Sequence, residues 1–222
     1  MPSRSFHGVA STLAGVGRRF YARGWVLGTS GNFSAVLSRN PLQLAISSSG
    51  TSKREIGSAD FLCCDDRGRA IGRGKPSAET LLHIEIAKHR GVAAVLHTHS
   101  VWGTMLSDLF APDGGLTIEQ YEMLKGLKGV TSHEHREWIP ILENDQDMPR
   151  LARVVGETLA RHPDAHAFLL RRHGLYTWGD SLAEAERHVE ILEFLFEAIG
   201  RSRAEGHARP HAEIGHGHHT NS

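Results

Sequence analysis

At 222 residues, with 40% hydrophobic and 23% charged side chains, the chain has the balance of one globular domain, which excludes a disordered, collagen-like or membrane-embedded protein. Its formal net charge is zero, so no global field attracts a polyanion; small molecules are the expected partners, with neither nucleic acid nor membrane among them. Residues 1–25 scatter Arg4, His7, Arg18, Arg19 and Arg23 among small residues without an apolar export run, and the neighbours Cys63 and Cys64 read as reduced filler, so a cytoplasmic location is expected.

In chain order, Val9, Leu13, Val16, Phe20 and Tyr21 predict an amphipathic helix over 5–25, stopped by Gly24. Short runs at 32–37, 43–46 and 61–64 predict a meander of antiparallel strands, with Asp65-Asp66-Arg67-Gly68 as a turn. Pro76-Ser77 is expected to start a helix through Ala87, with Ser77 capping its first turn. A short buried strand over 93–97 follows, then a helix after His99, a further helix over 117–128 and a strand near 138–142. A helix over 149–161, strands at 167–170 and 175–178, and a final helix over 181–203 complete the reading. Strands and helices mix without strict alternation, so an α/β layered domain with a largely antiparallel sheet is expected. Residues 1–205 form that single domain, and the His- and Gly-rich residues 206–222 are expected to be a disordered tail.

The chemical signal is Val95-Leu96-His97-Thr98-His99-Ser100, an apolar strand ending in two histidines. In an extended chain residues i and i+2 share a face, so the two imidazoles converge. His173 in Arg171-Arg172-His173-Gly174, at a strand end before a glycine turn, supplies a third ligand; three imidazoles with an open position make a catalytic zinc site. A hydrogen-bonded histidine at a strand corner is the alternative for His173. The pair His133 and His135 has the same spacing but no apolar run to bury it, and is left out of the site.

Three small-residue stretches could cradle a phosphate: Gly28-Thr29-Ser30-Gly31-Asn32, Ser47-Ser48-Ser49-Gly50-Thr51-Ser52, and Pro76-Ser77 at a helix start. Lys53 and Lys75 flank them, and none has P-loop or Rossmann spacing. Glu79 and Glu122 are the carboxylates available for proton transfer, although each also suits an ordinary helix position.

Taken in order, Ser30-Gly31-Asn32, Ser49-Gly50, Pro76-Ser77-Ala78-Glu79, His97-Thr98-His99-Ser100 and Arg172-His173-Gly174 resemble the class II aldolase and adducin head-domain family. The resemblance implies a three-layer α/β/α domain with a central, mainly antiparallel sheet. It also implies one Zn2+ per subunit on His97, His99 and His173, and a homotetramer with sites near subunit contacts. Tyr121-Glu122-Met123-Leu124-Lys125-Gly126 and Pro140-Ile141-Leu142-Glu143-Asn144 are similar to the branch that dehydrates a phosphorylated methylthio-ketose in methionine salvage. That branch implies Glu122 as acid/base, whereas the sugar-phosphate aldolases, which cleave a phosphorylated ketose such as fuculose or ribulose phosphate, imply Glu79. Glu122 is favoured for proton transfer, with Glu79 near the metal or substrate. Ala78 replaces a serine that commonly helps the aldolases bind phosphate, leaving Ser77 with the loops. A silent binding domain like the adducin head would be expected to lack the metal histidines.

Overall fold

The computed structural model describes residues 5–205, so the expectation for the tail at 206–222 lies outside the described residues. The first helix, α1 (Phe6–Ala22), is capped by Ser5, whose hydroxyl accepts the Gly8 N–H, and it buries Val9, Leu13, Val16 and Phe20 along one stripe. Strands β1 (Asn32–Arg39), β2 (Leu42–Ser47), β3 (Phe61–Cys64) and β4 (Ala70–Ile71) then form the antiparallel meander. Helix α2 (Thr80–Arg90) precedes β5 (Ala94–Thr98), and α3 (Val101–Leu109) precedes β6 (Gly115–Glu119) and β7 (Arg136–Leu142). Helix α4 (Met148–Arg161), strands β8 (Ala167–Leu170) and β9 (Gly174–Gly179), and the long α5 (Leu182–Ala204) close the domain. No helix among the described residues is long and apolar enough to cross a membrane.

All nine strands join one sheet in the order β4-β3-β2-β1-β5-β9-β8-β7-β6, antiparallel throughout except for the β7–β8 pair. Alternation along the central strands assigns the layers. Ala94 and Leu96 pack with α1 and α5, whereas Val95 packs with α2 and α4. Likewise Ala167 and Leu169 face α3 and α5, while Phe168 and Leu170 face α2 and α4. Strands covered on both sides read as unbroken apolar runs, and this is the three-layer α/β/α architecture.

Two sequence expectations are corrected. The helix expected over 117–128 is instead strand β6 followed by a 3-10 helix at Glu122–Gly126. Leu116 and Ile118 pair with Ile139 and Glu137 of β7, so the ladder takes the backbone bonds a helix needs, and Gln120, at φ +65°, breaks the path between the two pieces. The second correction concerns the start of α2. It begins at Thr80 rather than Ser77; Glu79 occupies its N-cap position, and Ser77 accepts the Glu79 N–H at 3.3 Å just outside it.

Helix α5 carries a buried acid behind β5. Glu193 is 2% exposed; its Oε1 accepts the Thr98 hydroxyl at 2.6 Å and its Oε2 has no partner. Burial pushes its carboxyl up to about 7 from 4.5, against the opposing pull of the Ser100 and Thr98 hydroxyls. With the folded value above the unfolded one, stability is unaffected below pH 4.5, falls as pH rises toward 7, and levels off above that at a cost of ~3 kcal/mol. Glu193→Gln, which keeps the acceptor, should therefore match wild type in urea denaturation at pH 4.5 and exceed it at pH 8. Equal midpoints at both pH values would contradict this.

Candidate metal centre

Strand β5 ends where the sheet's centre meets solvent, and its last residues point alternately to the two faces. Thr98 turns to α5, and His97 turns the other way to stack on Tyr176 at 3.9 Å between ring centroids. His99 follows the strand, its backbone N–H donated to Trp25 O at 2.8 Å. His173 sits in the β8–β9 turn beside Arg172, which adopts φ +54°. Gly174 then lets β9 close on β5: a Cβ there would stand 1.9 Å from the Thr98 carbonyl oxygen. Gly31 meets the same strand end from the other side, at φ +71°, where a Cβ would lie 2.8 Å from the His97 carbonyl oxygen.

These constraints bring the three imidazoles together. The Nε2 atoms of His97 and His99 are 2.8 Å apart, those of His99 and His173 3.1 Å, and those of His97 and His173 3.3 Å. Zinc–nitrogen bonds of the usual length in a tetrahedron separate ligand nitrogens by about 3.3 Å, so the triangle is close to one that surrounds a single cation. The tautomers agree. His97 Nδ1 donates to Leu175 O at 2.8 Å and His173 Nδ1 faces Asn144 Oδ1 at 3.3 Å, which leaves both Nε2 lone pairs aimed inward. Burial is the main cause that holds the rings neutral, the form that binds metal: His97 is pushed well down, also by its two neighbours, and His99 down to about 3. His173 is lowered by burial against the opposing pull of Glu79. Two inward lone pairs, with the Nε2 of His99 converging on the same point, suit a divalent cation, so the residues fit the group expected from the sequence.

Glu79 lies beside this triangle, with Oε1 3.2 Å from His173 Nε2 and Oε2 3.5 Å from His97 Nε2. Its orientation is set by Asn32, whose Nδ2 donates to Glu79 Oε2 at 2.5 Å. The Asn32 Oδ1 can only accept, so it takes the Nε2–H of buried His83, and His83 Nδ1 accepts the Ser34 hydroxyl at 2.8 Å. Asn32 is 5% exposed, and its amide is shared between Glu79 and His83. The sequence contains no short motif that would have singled out His83 or Ser34. They become visible only when α2 is laid across β1.

The other small-residue loops gather at the same end. Ser48 bridges Pro76, Ser49 N donates to Lys75 O at 3.0 Å, and Ser30 Oγ donates to Leu27 O at 2.7 Å. Gly50, at φ +75°, has open space where a Cβ would project. Lys53 is only 1% exposed; its Nζ donates to Thr29 O at 3.1 Å and Thr51 O at 2.9 Å, tying two of the loops together. Burial lowers its ammonium to about 8, with Glu79 opposing, so it remains largely a cation at neutral pH.

Glu122 is not in this cluster. It is an exposed residue of the 3-10 helix, paired with Lys125 at 2.7 Å. Beyond β5 the sheet continues β9-β8-β7-β6, so the segment following β6 starts four strands away, about 19 Å at the usual strand spacing.

Comparison with known proteins agrees with this geometry. A methylthioribulose-1-phosphate dehydratase of Methylococcus capsulatus is 46% identical over 198 residues, covering 89% of this chain and 95% of the relative. One from Pseudomonas fluorescens is 44% identical, covering 88% and 94%. Among solved structures, an L-fuculose 1-phosphate aldolase superposes with a TM-score of 0.75 at 21% identity, covering 93% of this chain and 91% of the other. The L-fuculose-1-phosphate aldolase of Thermus thermophilus gives 0.70 at 24%, covering 92% and 98%. The model of the Class II Aldolase and Adducin N-terminal domain matches residues 11–199, a span that takes in every element building the histidine triangle, and the chain therefore belongs to that family.

Proposed function

We propose that the chain is a metal-dependent hydro-lyase of methionine salvage, converting 5-(methylthio)ribulose 1-phosphate to 2,3-diketo-5-methylthiopentyl 1-phosphate and water, with zinc as its cation. The observation that carries this reading is the 46% identity to a named dehydratase across 95% of that protein's length. A bound divalent cation supplies Lewis-acid stabilisation of negative charge on the substrate's oxygens. The protein's own groups do the rest. Glu79, held by Asn32 at the edge of the triangle, is placed to take the C3 proton. The electron pair of that C–H bond moves toward the C2 carbonyl, the C4–O bond then breaks with protonation of the departing hydroxyl, and the remaining enol takes a proton at C4 to give the diketone. Backbone N–H groups around Ser30, Gly31, Ser49, Gly50 and Ser77, with the Lys53 cation beneath them, suit the substrate phosphate.

Glu122, favoured by the dehydratase pattern, is the proposed donor to the departing hydroxyl. Exposed and remote from the triangle of its own chain, it would act on the centre of another copy, as a homotetramer with sites near subunit contacts allows. Support for such a contact comes from α3, which starts two residues after His99 and exposes Val101, Met105 and Leu109 at helical spacing, 64%, 56% and 54% accessible, an apolar stripe left uncovered among the described residues. A cytoplasmic location accords with the small charged substrate. The test is mass analysis of the products from synthetic 5-(methylthio)ribulose 1-phosphate: a diketone retaining all carbons, one water lighter than substrate, is expected. Retro-aldol fragments would show the chain to be a sugar-phosphate aldolase instead, and no turnover with metal bound would leave a silent binding domain.

A further inference from the structure

Of the pair set aside in the sequence, His133 and His135, the second belongs to a different arrangement. At the end of the sheet opposite the histidine triangle, His135 precedes β7, Glu137 is its second residue, and His166 precedes the parallel neighbour β8. The carboxylate of Glu137 is 1% exposed. Its Oε2 lies 2.7 Å from His135 Nε2 and 2.9 Å from His166 Nδ1, while its Oε1 accepts the His166 backbone N–H at 3.0 Å.

The remaining nitrogen of His166 decides what this means. His166 Nε2 stands 2.8 Å from the Lys128 carbonyl oxygen, which can only accept, so Nε2 carries the proton. With no cation between them Nδ1 donates to the carboxylate, and against the opposing effect of burial this raises the imidazole; in the neutral ring the Nδ1 lone pair points to the same place. His135 aims Nε2 at the same oxygen. Two imidazole nitrogens and one carboxylate oxygen therefore converge, and all three ligand atoms lie within 4.8 Å of one another. Two of the three are also held from behind: His166 by the Lys128 carbonyl, Glu137 by a backbone N–H. This orienting support is typical of metal ligands. The cluster opens onto a cavity of about 440 Å³, bordered also by His188, Asp164 and Trp178, where solvent could complete the coordination.

We infer that His135, Glu137 and His166 form a second divalent-metal site, separate from the histidine triangle, whose two-nitrogen, one-oxygen donor set suits zinc, cobalt or nickel. The site joins the N-terminal ends of β7 and β8 to the segment around Lys128, so its role is to clamp that edge of the sheet. It does not depend on the dehydratase reading, and its test needs no substrate.

The full-length chain is stripped with chelator and titrated with Co2+, with wild type compared against His135→Ala, His99→Ala and the double variant. The histidines of residues 206–222 are common to all four and cancel. Wild type should bind one equivalent more than His135→Ala, His99→Ala should lose a different equivalent, and the double variant both. The affinity of the equivalent assigned to His135 should weaken at least tenfold in His135→Ala. Equal stoichiometry and spectra for wild type and His135→Ala would overturn the proposal and leave a proton-bridged histidine–glutamate cluster. Anomalous diffraction at the zinc edge from wild-type crystals grown with zinc gives a readout independent of any variant: a peak among the three side chains is expected, and zinc confined to the triangle overturns the site.

Discussion

Replacement of His173 by alanine should empty the main metal centre and lower turnover by about 10³-fold or more, the rate equivalent of the several kcal/mol that a Lewis-acid cation contributes. His173 is the ligand whose loss disturbs the fold least. His97 is fully buried and stacked on Tyr176, so removing it opens a hole in the core, whereas His173 lies in a turn at the site's mouth. Metal analysis and thermal unfolding should therefore separate in His173→Ala, with metal content falling and the unfolding of the apo forms nearly unchanged. Because burial and mutual repulsion already hold the rings neutral, the wild-type triangle should keep its metal at pH values below the ordinary histidine range. A His173→Ala chain that retained stoichiometric metal and full activity would remove this residue from the centre.

The second large effect concerns the two glutamates. Glu79→Gln keeps the size of the side chain beside the triangle and removes its ability to take a proton, so kcat should fall by roughly 10²- to 10⁴-fold while metal content is retained. Glu122→Gln should produce a comparable fall for a different reason, since in one chain that carboxylate is exposed beside Lys125 and far from the triangle. The distinction is measurable by mixing. When Glu122→Gln and His173→Ala chains are unfolded together and refolded, mixed oligomers can pair an intact metal centre with an intact Glu122 from a neighbour, and part of the activity should return. The mixture of Glu79→Gln with His173→Ala should recover nothing, because Glu79 and the triangle belong to the same chain. Full activity in Glu122→Gln would restrict proton transfer to Glu79, and recovery in the second mixture would contradict the role given to Glu79.

Much of the site was legible before any coordinates. His97 and His99 could be paired because a strand has a strict two-residue period, and β5 is a strand whose apolar run has no competing helical reading. Most helices were equally clear, since α1 and α5 carry long stripes bounded by serine caps. The stretch over 117–128 misled because Leu124 and Leu127 fit a helical spacing while Leu116 and Ile118 fit a strand, and a short window cannot weigh the two. What tipped the balance was the ladder to β7, a partner some twenty residues away in the chain.

The order and types of the residues determined the three candidate metal ligands, the layered class and the family, because these rest on local periods and on motifs whose sequence order survives folding. Tertiary structure alone decided that Glu79, not Glu122, stands beside the triangle, that Asn32 orients it, that Lys53 is buried between loops, and that His135 meets His166 across Glu137. Those relations depend on which strands are neighbours and which helix crosses them, and the free energy that selects such long-range pairings is spread over the whole core rather than written in any one segment.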